Sequence, residues 1–395
     1  MRPAPRVQAA IELLDAIIDA ASNKGAPADR LISDYFRQRR YAGSKDRRAV
    51  RELVYGAIRI CGPVPKSGRA AMLKLAETDP SLIELFDGTE HAPQPISDKE
   101  EPAEGGTAPE WLVERLAASG IDQDQANALL DRAPLDLRVN TIKADRSALD
   151  LPIEGEHLAA EQAIRLPAGT SVEQWEQWEQ WRDGLIEVQD HGSQLVCAAF
   201  GAKPGEVVID LCAGAGGKSL ALAAAMQNSG QLVASDIDRG RLSKLEPRAR
   251  RAGAGMIQTL LLNPGKELDM LAEWHGKADG VLVDAPCSGT GTWRRNPESR
   301  WRLDTPELKR LSATQDSLLD MATQLVKPGG RIGFVTCSLL DEEGAARVDA
   351  FLERHPGWSA EEPSMPAGNS HGRGKRLTPS QDGTDGFFVA ILRSA

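Results

Sequence analysis

The sequence predicts a chain of the α/β class with an all-α part at its N-terminus. Residues 205 to 392 alternate strand and helix patterns, as a parallel sheet with crossover helices requires. Residues 7 to 60 instead repeat apolar side chains at helical spacing and contain few β-branched runs. Because 395 residues are too many for one ordinary core, we expect two or three domains.

The composition indicates a soluble globular protein, with 41% hydrophobic and 26% charged residues. No apolar run approaches the roughly 18 residues of a membrane span. Residues 1 to 23 alternate apolar and charged side chains, which predicts an amphipathic helix rather than a secretory signal, so we expect a cytoplasmic protein without membrane contact. Five widely spaced cysteines and six scattered histidines predict neither a disulfide framework nor a metal site, and leave room for a reactive thiol.

The N-terminal part, residues 1 to 133, is predicted to be a small helical bundle. Further helical patterns cover residues 70 to 87 and 110 to 132. Between them, residues 88 to 109 contain four prolines and an excess of acids, which indicates a flexible linker or a surface loop.

A short connecting α/β segment is predicted over residues 134 to 184, beginning with a strand in LDLRVNTIK (135 to 143). Tryptophans at 175, 178 and 181 repeat every three residues within this segment. A packed or partly exposed aromatic stripe explains the repeat better than a base-stacking platform, so it carries no functional prediction.

The C-terminal domain, residues 185 to 395, is predicted to contain the α/β sheet. Its strands are expected at 206–211, 230–236, 278–285, 330–337 and 387–393, and its helices at 217–227, 239–252, 305–326 and 342–354. The turn signal Lys327-Pro328-Gly329-Gly330 ends the helix before the fourth strand.

A Gly-rich turn, VVIDLCAGAGGKS, joins the first of these strands to a helix. A Walker A loop would need glycine where Cys212 stands, and a dinucleotide loop fits Ser219 poorly. An S-adenosylmethionine loop needs the turn and two strand-end acids, which Asp210 and Asp236 supply. Asp236 stands where a carboxylate would bind a ribose diol. The pattern therefore indicates a nucleoside cofactor without specifying which one.

Two other predicted strands end at cysteines, in DAPCSGTG and FVTCS. A lone free cysteine is usually a small buried hydrophobe. Cys287 and Cys337, however, both precede polar turns at the carboxyl edge of the sheet, where active sites collect. We therefore expect two presented thiols.

A thiolate suits methylation of a cytosine at carbon 5, which is a weak nucleophile. Addition of the thiolate to carbon 6 makes carbon 5 enamine-like and divides the reaction into easier steps. An acid near the ring would stabilise the charge that develops, and Asp284 is placed for that role. A second thiol could then assist release of the product.

Six segments resemble the Fmu/Sun family of RNA cytosine-5 methyltransferases, which includes bacterial small-subunit ribosomal RNA enzymes. They are LRVNTIK, VQDHGSQLV, DLCAGAGGKS, DAPCSGTGTWRRNPESRW, VTCS and DGFFVAILR. The resemblance implies a Rossmann-like methyltransferase domain, Cys337 as nucleophile and Cys287 in product release. It also implies S-adenosyl-L-methionine as cofactor, with its site formed by Cys212, Ala213, Gly214, Ala215, Gly216, Gly217, Lys218, Asp236, Asn263 and Asp284. Asn263 stands where the family often has an acid.

The N-terminal helices, especially DRRAVRELVYGAIR, resemble the NusB-like RNA-binding domain of the ribosomal family members. That resemblance favours 16S ribosomal RNA over transfer RNA as the partner. Although the net charge is -10, basic side chains cluster in two runs. Either run alone is typical of a solvated face, but together they indicate RNA contacts. The expected contacts are Arg39, Arg40, Arg47, Arg48, Arg294 and Arg295.

Two other classes of function remain open at this point. A nicotinamide-dependent oxidoreductase could use the same sheet, but it leaves both cysteine motifs unexplained. A non-catalytic RNA-binding assembly factor could retain the fold, although the intact motifs argue against it. A monomer without a metal is the expected form.

Overall fold

The computed structural model describes residues 2–170 and 176–395. The chain forms two compact units. The helical unit contains Met1–Asp131 together with Thr292–Thr305, and the sheet unit contains Arg132–Gly291 together with Pro306–Ala395. Trp175, one of the three repeated tryptophans, lies outside the described residues.

The helical unit confirms the predicted all-α N-terminal part. Its helices are α1 (Pro3–Ser22), α2 (Ala28–Gln38), α3 (Ser44–Ile60), α4 (Gly68–Thr78), α5 (Glu110–Ala118) and α6 (Gln123–Ala128). The apolar faces of α1, α3 and α4 meet in one core that includes Leu14, Val54 and Met72, each fully buried. None of the helices in the described ranges is both long and apolar enough to cross a membrane.

The proline-rich stretch from 88 to 109 is a surface loop held against α4. Arg69 donates hydrogen bonds to the carbonyl of Gln94 at 2.9 Å and pairs with Glu100. The backbone of Ala103 donates to Ala70 at 2.9 Å. Of the two predicted forms, flexible linker or surface loop, the structure shows the second.

The segment Thr292–Thr305 packs into the helical unit, although the sequence placed it within a continuous C-terminal domain. Arg300 is fully buried and donates to the carbonyls of Ile58 and Cys61, at 2.6 and 2.8 Å, where α3 ends. Trp301 donates to Gly62 at 3.2 Å. A cation suits the carbonyls at a helix C-terminus, so this basic segment has a structural role within the unit.

The sheet unit carries the remaining elements. Its helices are α7 (Glu179–Arg182), α8 (His191–Phe200), α9 (Gly217–Ala225), α10 (Arg239–Leu242), α11 (Leu245–Ala252), α12 (Glu267–Met270), α13 (Thr305–Leu325, whose first residue falls in the helical unit), α14 (Ala345–Arg354) and α15 (Pro379–Asp382). Its strands are β1 (Asp136–Val139), β2 (Glu156–His157), β3 (Ala163–Arg165), β4 (Ile186–Val188), β5 (Val207–Asp210), β6 (Gln231–Asp236), β7 (Ile257–Leu261), β8 (Ala278–Asp284), β9 (Val326–Thr336), β10 (Trp358–Glu361), β11 (Asn369–His371), β12 (Gly374–Leu377) and β13 (Phe387–Ser394).

The large sheet has the order β11-β12-β13-β9-β8-β5-β6-β7 in the described residues, with β10 also paired to β13. Strands β5 to β9 run parallel, and β13 returns antiparallel to β9. Apolar clusters cover both faces of this sheet. The sheet is thus mixed rather than wholly parallel, and the predicted Rossmann-like class is confirmed.

The small sheet has the order β2-β3-β1-β4. It shows the structural role of two of the six segments that resemble the Fmu/Sun family. Asp136 accepts hydrogen bonds from Arg165 at 2.7 and 2.9 Å and from the backbone of His191 at 3.1 Å. Asn140 donates to Gly184 and Ala252, both at 2.8 Å. LRVNTIK and VQDHGSQLV therefore attach the small sheet to the helices beside the large one.

The described tryptophans of the repeat are packing residues. Trp178 is 8% exposed and lies in the core of the small sheet. Trp181 packs beside it, with the Arg251 guanidinium 4.1 Å from its ring centroid.

Candidate active site

The predicted site residues gather where the parallel strands end. Asp210, Asp236 and Asp284 are the last residues of β5, β6 and β8. Cys337 directly follows β9. Asp284 is in register with Val335 on β9, so the two cysteine loops leave the same edge of the sheet.

The two thiols are in contact. The Sγ atoms of Cys287 and Cys337 are 3.4 Å apart, and both side chains are half-buried. The backbone N–H of Gly291 donates to the carbonyl of Cys337 at 2.9 Å and so joins the two loops. A side chain at Gly291 would place its Cβ 2.2 Å from the carbonyl of Gly386, so only glycine fits this junction.

Hydroxyl groups of both motifs fix the loops further. Ser338 Oγ lies 3.2 Å from Ser288 Oγ and 3.2 Å from Thr290 Oγ1. Thr290 Oγ1 also accepts from the backbone of Leu339 at 2.9 Å. These buried polar atoms pair with one another across the two loops, which limits the movement of the cysteines between them.

A half-buried ion pair lies beside the thiols. Lys218 Nζ donates to Asp284 Oδ2 at 2.7 Å. Burial opposes the charge on Lys218, but Asp284 and the nearby thiols Cys197 and Cys337 favour it, and the net result is a raised pKa for Lys218. The ammonium is therefore retained within electrostatic reach of the Cys337 sulfur.

The Gly-rich turn closes tightly against the end of β6. Gly214 and Gly216 adopt left-handed conformations, with φ of 54° and 86°. Asp236 Oδ2 accepts from the backbone of Gly214 at 2.7 Å, and its Oδ1 accepts from Asp238 at 2.7 Å. A Cβ at Gly217 would meet nothing within 4 Å, so the start of α9 is open to a ligand.

Asp210 lies beneath this turn and is fully buried. Ser219 Oγ donates to its Oδ2 at 2.6 Å, and its Oδ1 has no hydrogen-bond partner among the described residues. Burial raises the pKa of Asp210 to about 7, and the Ser219 hydrogen bond offsets only part of that effect. Cys212, above it, has a raised pKa because of burial and the surrounding acids. Asp210 thus supports the turn rather than facing solvent.

These features fit a nucleoside cofactor. Asp236 keeps carboxylate lone pairs for a ribose diol, and the glycines allow close backbone approach. Asn263 is exposed two residues after β7, at the same sheet edge. The predicted cofactor residues therefore lie on neighbouring loops, although their contacts stay a prediction.

The first basic run lies on the helical unit and is mostly exposed. Arg40, Arg47 and Arg48 are exposed near Tyr41, which is 73% exposed. Arg39 lies over the Tyr35 ring, 3.7 Å from its centroid. This run remains available for RNA.

The second basic run does not form an open surface. Arg294 is only 6% exposed, and its contact with RNA stays a prediction. Arg295 is half-buried, and its predicted contact with RNA stays a prediction. The reason for this burial is local: the chain following Thr292 packs into the helical unit instead of forming a free arm.

Two polar residues near Cys287 were not predicted. Glu343 and Gln315 are both fully buried and hydrogen-bond the backbone around that cysteine. Acids closely following VTCS were the only sequence signal for Glu343, and Gln315 gives none because it resembles any polar helix residue.

Comparisons with known proteins identify relatives of this chain. A relative from Xanthomonas campestris, ribosomal RNA small subunit methyltransferase B, is 32% identical over 73% of this chain and 66% of its own length. A probable ribosomal RNA small subunit methyltransferase B from Synechocystis is 32% identical over 73% of this chain and 67% of its own. The chain thus spans about two thirds of the length of the curated relatives it matches.

The fold also has a counterpart among solved structures. The crystal structure of PH0851 superposes with a TM-score of 0.74 over 99% of both chains, at 24% identity. The family model described as 16S rRNA methyltransferase RsmB/F matches residues 198–393, which include both cysteine loops and the Gly-rich turn. The chain belongs to this 16S rRNA methyltransferase RsmB/F family.

Proposed function

We propose that this protein is an S-adenosyl-L-methionine-dependent RNA methyltransferase that forms 5-methylcytidine in 16S ribosomal RNA. The observation that carries the proposal is the 3.4 Å contact between Cys287 and Cys337 beside the Lys218–Asp284 pair. The names of the relatives support ribosomal RNA as the substrate.

Cys337 is the proposed nucleophile. Its sulfur adds to carbon 6 of the cytosine, a C–S bond forms, and the electron pair of the 5,6 double bond moves toward carbon 5. The Lys218 ammonium lies within electrostatic reach of this sulfur, and its raised pKa keeps it charged there. The pKa of Cys287 is raised by its contact with Cys337 and by burial, which disfavours its thiolate as the attacking group.

Asp284 is proposed to orient the base. Its carboxyl group accepts a hydrogen bond from Lys218 at 2.7 Å and has further lone pairs that can accept from the base. The exocyclic amino group of cytosine is a donor that aspartate recognises well.

The proposed cofactor residues are Asp236 for the ribose, the turn from Cys212 to Lys218, Asn263 and Asp284. S-adenosyl-L-methionine, when bound, supplies an electrophilic methyl group. The turn offers backbone N–H groups at the start of α9, and Gly217 leaves space for close approach.

The proposal is tested by transfer of labelled methyl groups to small-subunit RNA, followed by bisulfite mapping of the product. We expect Cys337→Ala to abolish transfer, and Cys287→Ala to accumulate a covalent protein–RNA adduct that gel electrophoresis resolves. Cys197→Ala is the matched control, because Cys197 is buried and burial raises the pKa of its thiol to about 12.

Full activity in Cys337→Ala would show that Cys337 is not the nucleophile. Methylation of transfer RNA in preference to small-subunit RNA would rule out 16S ribosomal RNA as the substrate but would leave the proposed cytosine methylation intact. RNA binding with no methyl transfer by the unmodified protein would favour an assembly factor, and binding of a nicotinamide cofactor would favour an oxidoreductase.

A further inference from the structure

A buried carboxylate lies directly behind the cysteine assigned to product release. Glu343 precedes α14 and is fully buried. Its two carboxylate oxygens accept from the backbone N–H of Ser288, at 2.9 and 3.2 Å. Ser288 is the residue after Cys287, so Glu343 fixes the peptide on one side of that thiol.

Gln315 on α13 fixes the other side. Its Nε2 donates to Glu343 Oε1 at 3.1 Å and to the carbonyl of Pro286 at 2.9 Å. Pro286 and Ser288 flank Cys287, so the two buried side chains together hold the backbone on both sides of the thiol. A further hydrogen bond, from Thr336 Oγ1 to the carbonyl of Glu343 at 3.1 Å, attaches the same residue to the end of β9.

The placement of a carboxylate here has an energetic cost. Removing a carboxylate from water is expensive unless a cation or several donors compensate it. Among the described residues, Glu343 forms no salt bridge, and its hydrogen-bond donors are a backbone amide and a neutral side-chain amide. Hydrogen bonds alone therefore hold this carboxylate in place beside Cys287.

Most of the groups around Cys287 disfavour its thiolate. Its pKa lies well above the usual range because of the sulfur contact with Cys337, burial, and the negative charges of Cys337 and Glu343. A hydrogen bond from the backbone of Gly289 acts weakly in the opposite direction. Lys218, the nearby cation, is already paired with Asp284.

We propose that Glu343, assisted by Gln315, is a positioning residue that holds Cys287 as a neutral thiol directed at the sulfur of Cys337. This inference rests on the proposed function, in which Cys337 is bonded to carbon 6 after methyl transfer. A neutral thiol at 3.4 Å can donate its proton to the departing sulfur, which a thiolate cannot do.

The release step then balances. The bond between carbon 6 and the Cys337 sulfur breaks, its electron pair goes to that sulfur, and the sulfur takes the proton of Cys287. The Cys287 thiolate formed in this way takes the proton from carbon 5. The electrons of that C–H bond restore the 5,6 double bond. Both cysteines end as thiols, and no external oxidant or reductant is required.

The first test measures the thiol itself. In a Cys337→Ala background, the alkylation rate of Cys287 by iodoacetamide is followed against pH by peptide mass spectrometry. Glu343→Gln keeps the size and one acceptor oxygen but removes the charge. We expect its alkylation profile to move to lower pH, with about tenfold more thiolate for each unit of pKa. Glu342→Gln, which removes the adjacent half-buried charge, should leave the profile in place.

The second test measures release. With Cys337 intact, Glu343→Gln should accumulate the covalent RNA adduct, as Cys287→Ala does, while the rate of adduct formation changes less. Coincident alkylation profiles in the Glu343→Gln variant and its parent would overturn the inference. If neither the parent protein nor Cys287→Ala forms an adduct, the proposed function fails, and the alkylation profiles still decide whether Glu343 controls the thiol.

Discussion

Asp210 shows how one buried carboxyl group makes the sheet unit sensitive to pH. Its pKa is raised to about 7 from the usual value of 3.8, chiefly because of burial. Between these values the folded protein binds a proton that the unfolded chain has released. The stability contributed by this group therefore falls as the pH rises from about 4 to about 7, and is constant above that range.

Replacing Asp210 with asparagine should remove this pH dependence, because the amide resembles the protonated carboxyl group and still accepts from Ser219. We expect the parent protein to lose about 2.5 kcal/mol more than Asp210→Asn between about pH 5 and about pH 8. Urea unfolding of both proteins at the two pH values measures the difference, and other titrating groups cancel in the comparison. Parallel losses in the two proteins would show that Asp210 is ionised at both pH values.

The proximity of the two cysteines could be predicted from the sequence, but their direct sulfur contact could not. Cys287 and Cys337 are 50 positions apart. Each follows a predicted strand, and parallel strands end at one edge of a sheet, so their proximity could be predicted. Their sulfur contact depends on loop geometry set by Gly291 and Ser338, and on Glu343 behind the loop. These contacts join distant parts of the chain, and no local pattern encodes them.

At the scale of elements, glycine and proline at the ends of strands and helices made the main elements predictable. Helix α9 begins at Gly217 and α13 at Thr305, as expected. The strands β10 to β12 were not predicted, because they are three or four residues long and lack regular alternation. Segment 292–305 shows a different limit: its arginines resemble an RNA-binding run in sequence, yet Arg300 is buried against carbonyls of α3.

Arg300 should therefore stabilise the helical unit. Arg300→Met leaves the carbonyls of Ile58 and Cys61 buried without their donor, which costs at least about 2 kcal/mol. Hydrogen exchange followed by mass spectrometry should show faster exchange in α3 and little change in β5 to β9. The control is Arg302→Met, whose partly exposed guanidinium donates to Gly25 and Ala26 and can be replaced by water. Equal protection of α3 in Arg300→Met and the parent would contradict this role.

At the scale of the whole molecule, the net charge of the chain and the charge of one local surface have opposite signs. The chain carries a net charge of -10, which disfavours general attraction to RNA. Seven basic residues against one acid between Arg37 and Arg51 give the helical unit a local surface of the opposite sign. The attraction to RNA should then depend on a few basic side chains, and removing any two of them should weaken RNA binding measurably.

Arg40→Ala combined with Arg48→Ala removes two exposed cations of this surface. If each contacts a phosphate, two fewer counterions are released on binding, and the slope of log affinity against log salt becomes shallower by about 1.4 for single-stranded RNA. Fluorescence anisotropy with a small-subunit RNA fragment at several salt concentrations measures this slope. Arg250→Ala with Arg373→Ala is the matched control, since these exposed arginines of the sheet unit are paired with Glu246 and Asp349. An unchanged slope in the Arg40/Arg48 variant, or an equal change in the control, would show that RNA does not contact this surface through these arginines.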